Sequence, residues 1–232
     1  MGRDFFHLFP EKSVIGMIHL AGRDGNERVE RALEEISIYE EEGVHGVIVE
    51  DYHGTTRDVA NALSSIKKRG TSLITGVNFL SYHYSGFSCE EYGVKFVQLD
   101  SVQPPFINVE IYNQMRILCP KAVVLGGIRF KYIRPSGKSL EEDICGGMSR
   151  CEAIVTTGEG TGLETPTEKL REFRRVMGKF PLVVGAGIND VNIREQMEIC
   201  DAAIVGSYFK NGDTTSKVSR GRVRRLMVAM HN

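Results

Sequence analysis

At 232 residues the chain is long enough to bury a sizeable core and short for two comfortable domains. Hydrophobic residues make up 41% and charged residues 25%, the balance of an ordinary soluble globular protein. A net charge of -1 gives no bulk attraction to nucleic acid, no apolar run approaches the roughly 20 residues of a membrane span, and the N-terminus lacks the apolar core of a secretory signal.

Short apolar runs rich in Val, Ile and Leu recur along the chain. They cover 13–20 (SVIGMIHL), 45–50 (HGVIVE), 72–79 (SLITGVNF), 94–100 (VKFVQLD), 122–128 (AVVLGGI), 152–157 (EAIVTT), 181–187 (PLVVGAG) and 202–209 (AAIVGSYF). Near-continuous rather than alternating apolarity marks strands covered on both faces, as in a parallel sheet. Helical patterns lie between them. The segment 26–43 spaces Val29, Leu33 and Ile36 along one face and stops at Gly43. The segment 55–70 does the same with Val59, Leu63 and Ile66 and stops at Gly70. The segment 165–178 opens at Thr165-Pro166 with a cap expected at Thr167, and carries Leu170, Phe173 and Val176 or Met177. The last, 216–230, carries Val223, Leu226 and Met227; the stretch 81–93 is the weakest helix. Strands alternating with helices imply right-handed βαβ units. Eight such units in one domain predict an α/β fold, a single (β/α)8 barrel over 1–232, with a doubly wound open sheet as the rival.

Barrel chemistry sits at the C-terminal ends of the strands, so the polar residue at each end is a candidate. In chain order these are His19, Glu50-Asp51, Asn78, Gln98 or Asp100, Arg129 and Lys131, Thr156-Thr157, Gly185 with Gly187, and Gly206-Ser207 followed by Lys210. Glu50 and Asp51 are adjacent and point to opposite faces, so only one enters the mouth easily. Glu50 is the expected general base, Lys131 a group for anion binding, proton transfer or carbonyl chemistry, and His19 a proton carrier or a satisfied core histidine. Asn78 is expected to orient a substrate.

The glycine pair in VGAG has two readings. A dinucleotide fingerprint needs a third glycine opening the helix, and Asp190 stands there, so no cofactor is expected. The loops after strands seven and eight are a frequent phosphate site of barrels, and Gly185, Gly187, Gly206, Ser207 and Lys210 supply those turns. Tight turns with no ligand would use the same glycines. The stretch TTGEGTG, 156–162, is longer than a turn needs and makes Gly158, Thr161 and Gly162 candidates for an anion nest or a lid. His19, Glu50 and His53 do not follow a recognised ligand spacing, so no metal is expected.

The five cysteines, Cys89, Cys119, Cys145, Cys151 and Cys200, form no CxxC pair and are odd in number. They are expected to be unpaired apolar fillers in a reducing, cytoplasmic setting. Lys217, Arg220, Arg222, Arg224 and Arg225 give the last helix a basic face. It is either solvated or a contact with an acidic membrane surface or partner. A homo-oligomer is the base-rate expectation.

The segments VIGMIHL, GVHGVIVED, GVNFL, TGEGTG, VVGAGINDVNI and DAAIVGSYFKNGDTTSKVSRGRVRRLM resemble the BtpA/SgcQ family, in the family's order and over nearly the whole chain. The resemblance implies a barrel of the ribulose-phosphate-binding kind. Cyanobacterial members are linked to photosystem I biogenesis at the thylakoid surface. The chain departs from the family on one side of the mouth. Ala21–Gly25 replaces a proline-rich loop, LSYH stands where the family has LRND, and GIRFKY keeps only Lys131 of a DVHVKH-like run. Two expectations result. One is an enzyme acting on a small sugar-phosphate-like compound by isomerase, lyase or aldolase-type chemistry. The other is a non-catalytic assembly factor that uses the barrel as a scaffold.

Overall fold

In a computed structural model, which describes residues 4–81 and 84–231, eight parallel strands close into a barrel in sequence order. They are β1 Ser13–Ile18, β2 Gly46–Glu50, β3 Ile74–Asn78, β4 Phe96–Leu99, β5 Val123–Gly127, β6 Ala153–Thr157, β7 Leu182–Gly185 and β8 Ala202–Val205. Pairing of β8 with β1, from Ser13↔Ala202 to Gly16↔Val205, completes the closure and excludes the open sheet. The helices are α1 Phe5–Leu8, α2 Gly25–Glu41, α3 Thr56–Arg69, α4 Cys89–Tyr92, α5 Val109–Leu118, α6 Leu140–Met148, α7 Thr167–Met177, α8 Ile193–Ile199 and α9 Arg220–His231. A 3-10 turn, Ser207–Lys210, follows β8. Every strand expected from the sequence forms, because each apolar run has a strand on both sides and a helix outside it.

Two apolar layers result. One lies between strands and helices and includes Val14, Val47, Val49, Val77 and Val97. The other fills the barrel with Ile15, Met17, Ile48, Phe96, Leu125, Val155, Val183 and Ile204. Helix α1, capped by the Asp4 carboxylate on the N–H groups of Phe6 and His7, brings Phe5 and Phe9 to the same inner cluster. Phe9 meets the Phe96 ring edge-on at 5.1 Å and closes the N-terminal end.

Helix starts carry the chemistry expected of them. Asp24 caps α2 and a reciprocal Thr55–Asp58 box caps α3. Helix α7 differs: Pro166, not Thr167, is its cap residue and no side chain caps it. The weak helix after β3 is a single turn, α4; Tyr82 and His83 of that stretch lie outside the described residues, as do Met1 and Gly2.

The cysteine expectation needs correction. Cys89 and Cys119 form a disulfide, with Cα atoms 5.1 Å apart. Each stands shortly before one of the adjacent parallel strands β4 and β5, so the topology brings both to one end of the barrel. Cys145, Cys151 and Cys200 are free, and burial pushes the thiols of Cys151 and Cys200 up to about 12. The basic residues at α9 stay half-exposed or more and carry ion pairs within the chain. Arg220 and Arg224 pair with Glu42 of α2's end, Arg220 also with Glu41, Lys217 with Glu34, and Arg225 lies 3.8 Å from Asp190. Arg222 donates to Asn211 and lies over the Tyr208 ring. Among the described residues no helix is long and apolar enough to cross a membrane.

The inner layer tolerates no added volume at β3. A Cβ on Gly76 would lie 2.3 Å from the Phe96 ring, which Phe9 already holds from the other side. Gly76→Ala is expected to cost about 1–3 kcal/mol in urea unfolding, and a second change, Phe96→Leu, should recover part of it. An unchanged midpoint for Gly76→Ala would contradict this packing.

Candidate active site

Side chains alternate along a strand, so the parity that turns Ile15 and Met17 inward also turns His19 inward. The same parity carries Glu50 after Ile48, Asn78 after Gly76, and Gln98 and Asp100 after Phe96. These residues form the last layer of the barrel. Above it opens a cavity of about 310 Å³ lined by His19, Glu50, Asp100, Lys131, Thr161 and the glycine loops after β7 and β8.

One amide organises the floor of that cavity. Asn78 Nδ2 donates to Glu50 Oε1 at 2.8 Å and to Asp100 Oδ1 at 3.0 Å. Asn78 is itself buried and is not among the cavity's lining residues, so it holds the two carboxyl groups rather than a substrate. Gln98 Nε2 adds a longer contact to Asp100 at 3.3 Å. Burial and the nearby Asp100 raise the Glu50 carboxyl to about 8, despite the pull of Lys131. Burial also raises Asp100 above the usual carboxylate range, against the hydrogen bond from Asn78 and the charge of Lys131. The pair therefore keeps a proton at neutral pH. Glu50, expected from sequence as a general base, is thus the carboxyl that burial favours in its protonated form near neutrality.

His19 stands 3.9 Å from Glu50, Nε2 to Oε2, too far for a hydrogen bond. Burial, with the charges of Lys210 and Lys131, pushes its imidazole well below the usual value, so it is neutral. Its Nδ1 has no partner among the described residues. His53 turns to Thr214, 2.9 Å away, and among the described residues no cluster of three or more His, Cys, Asp or Glu could hold a metal.

Lys131 is fixed from below and above. Its N–H donates to Thr157 Oγ1 at 2.6 Å, and its Nζ donates to Thr161 Oγ1 at 3.2 Å. Thr161 N–H in turn donates to the Tyr132 hydroxyl at 2.9 Å, so the loop after β6 is tied to the loop after β5. Arg129 and Tyr132, on either side of Lys131, both adopt positive φ, as do Leu20 after His19 and Ala186 between the glycines. Left-handed backbone in non-glycine residues costs about 1–2 kcal/mol each, and four such residues stand at this mouth.

The glycine loops come together as expected. Gly162, Gly185, Gly187, Gly206 and Ser207 all line the cavity. The N–H groups of Ala186, Gly187 and Gly206 donate to no group among the described residues. Packing alone also demands two glycines. A Cβ on Gly187, at φ +66°, would lie 2.3 Å from the Glu164 backbone, and one on Gly158 would lie 2.6 Å from the Glu164 carbonyl oxygen. Gly158 thus seats the β6 loop and does not line the mouth. Lys210 does not join the site either. It is 1% exposed, donates to Glu35 of α2 at 2.5 Å and does not line the cavity, although its charge reaches His19. Gln98 and Asp100, alternatives at the end of β4 in the sequence, both line the cavity. The strand parity admits both, and only the Asn78 contact separates them.

The BtpA family model matches residues 108–232. An uncharacterised protein of Archaeoglobus fulgidus is 27% identical over 94% of this chain and 98% of its own. The photosystem I biogenesis protein BtpA of Synechocystis is 23% identical over 98% of this chain and 91% of its own. Among solved structures, phosphoribosyl anthranilate isomerase from Thermus thermophilus superposes with a TM-score of 0.65 at 16% identity, covering 94% of this chain and 98% of that one. That likeness is one of fold.

The buried carboxyl pair has a consequence for stability. A folded-state value near 8 for Glu50, above the ordinary 4.5, favours the fold at low pH and is lost as pH rises through 8. Between those values the wild type should lose on the order of 4 kcal/mol, and Glu50→Gln should remove most of that slope. Urea unfolding at pH 5, 7 and 9 reads the slope, and equal slopes in both proteins would contradict the assignment.

Proposed function

Because the chain belongs to the BtpA family and closes its barrel on a protonated carboxyl pair, we propose that it is an enzyme moving protons within a small phosphorylated carbonyl compound, as an isomerase or lyase does. The observation that carries this reading is the Asn78-bridged pair, Glu50 and Asp100, facing an open cavity with Lys131 beside it. A carboxyl that keeps its proton near neutrality can give it to an oxygen, and its ionised neighbour can take one from carbon. The Lys131 ammonium would stabilise the oxyanion that forms between those two steps. The N–H groups of Ala186, Gly187 and Gly206, without partners among the described residues, would hold the phosphate at the other end with the Ser207 hydroxyl. His19, neutral and close to Glu50, would pass or orient the proton.

The second reading, a scaffold for assembly, draws its support from the similarity to the Synechocystis protein. A surface that only docks a partner has no use for two carboxyl groups desolvated beneath a cavity, and their burial costs stability. The balance of the geometry therefore lies with chemistry.

A thermal-melt panel of phosphate, sulfate and small sugar phosphates tests the ligand site, since a bound ligand raises the midpoint by mass action. With a turned-over compound, Glu50→Gln and Lys131→Ala are expected to lower kcat by roughly 100-fold or more while binding changes only a few-fold. Full activity in both variants would remove the catalytic assignment, and no midpoint shift at millimolar ligand would remove the site.

A further inference from the structure

A second cavity of about 660 Å³ adjoins the mouth, between the loops after β5 and β6 and the start of α7. Phe130, Lys131, Tyr132 and Thr157 line both cavities, so the two share a wall rather than standing apart. The lining of the second is strongly cationic. Arg129, Lys131, Arg134, Lys138 and Lys169 all face it, and Glu159 is its one acidic lining residue. Asp143 partly offsets this charge through its contact with Arg129 at 3.1 Å. Among the described residues Arg134, Lys138 and Lys169 have no carboxylate within ion-pair distance.

The cleft is built, not merely charged. Lys169 Nζ is fixed by the carbonyl oxygens of Arg129 at 2.8 Å and Thr157 at 2.6 Å, which leaves it one further proton to donate. Burial and the Arg129 charge push its ammonium down to about 8, against the opposing pull of Glu159. Helix α7 opens beside it at Pro166 with no side chain capping its first N–H groups.

We propose that this cleft takes a second phosphate of the same ligand, so that the substrate class is a doubly phosphorylated compound spanning the mouth from the β7 and β8 loops to the β5 and β6 loops. The proposal rests on the proposed phosphate site at Ala186, Gly187 and Gly206. Lys131 stands on the shared wall, where it meets the middle of such a ligand. Arg134 and Lys138, both exposed, meet its far end.

Fructose 6-phosphate and fructose 1,6-bisphosphate differ by one phosphate and serve as probes in calorimetric titrations of the full chain. The wild type should bind the bisphosphate at least tenfold more tightly. The double variant Arg134→Ala, Lys138→Ala should lose that advantage and keep its affinity for the monophosphate. Ser207→Glu, which places a negative charge in the first site, should weaken both. An equal charge removed from the far end of α7, Arg175→Ala with Lys179→Ala, should leave the ratio unchanged. If the bisphosphate shows no advantage, or keeps it in the Arg134, Lys138 variant, this inference falls while the first phosphate site stands. A ratio that drops equally in the Arg175, Lys179 variant would show bulk charge alone and overturn it. Bisphosphate binding that survives Ser207→Glu would separate the two sites and overturn the spanning ligand. If neither sugar phosphate binds the wild type, the proposed function falls with it.

Discussion

Closing eight parallel strands leaves a barrel interior with no room for water, so polar side chains can enter only in its last layer. Here the lower layers are filled by Ile15, Phe96, Leu125 and Val183 and plugged by Phe9. Whatever is polar above them is desolvated from below and open to ligand from above. Glu50 and Asp100 sit in that position with a single neutral amide, Asn78, as their shared hydrogen-bond donor. Two carboxylates under such a neighbour would repel each other with little screening. The proton they retain follows from barrel closure, not from any special feature of either residue.

Much of this was legible in the sequence because it depends on local pattern. The eight apolar runs located the strands, and period-two alternation chose Glu50 over Asp51. Asp51 instead accepts from the Leu80 N–H at 2.8 Å and ties the loops after β2 and β3 together. What the sequence could not supply was pairing across long separations. Lys210 reads like a mouth lysine until Glu35, 175 residues earlier, claims it. Cys89 and Cys119 read as fillers until the β4–β5 neighbourhood brings them together. The basic residues of α9 read as a solvated face or a partner contact, and nothing local foretells that Arg220 and Arg224, still half-exposed, pair with Glu42 at the end of α2. In each case the chain supplied the charge or the thiol, and the topology supplied the partner.

The glycines show why a motif alone underdetermines its purpose. Gly187 and Gly158 are required where the loops after β6 and β7 touch, because any Cβ there would collide with the Glu164 backbone. That demand would hold in a barrel that bound nothing. That the N–H groups of Ala186, Gly187 and Gly206 donate to no group among the described residues is a separate observation, and all three are half-exposed at the mouth. Ala186 adds to this: an alanine held at φ +64° between two glycines is strained.

The two cavities make sense of the loop lengths. A minimal barrel needs only a few residues between β5 and α6, yet the chain spends 128–139 there, and 158–166 between β6 and α7. These loops are held to each other at one point, where Thr161 meets both Lys131 and Tyr132. Lys131 and Tyr132 belong to the ridge shared by the mouth and the basic cleft, and Thr161, which lines the mouth, braces that ridge from one side. Loops this long, fixed at their shared ridge and cationic on the far side, have a size and charge that exceed what holding one phosphate would require. The divergence from the family pattern at GIRFKY falls on this side of the barrel, where Lys131 remains and Arg129 faces the cleft. Under the proposed function, substrate choice would reside in the loops after β5 and β6, while the β7 and β8 loops would present the same anion-holding backbone to whatever the other side admits.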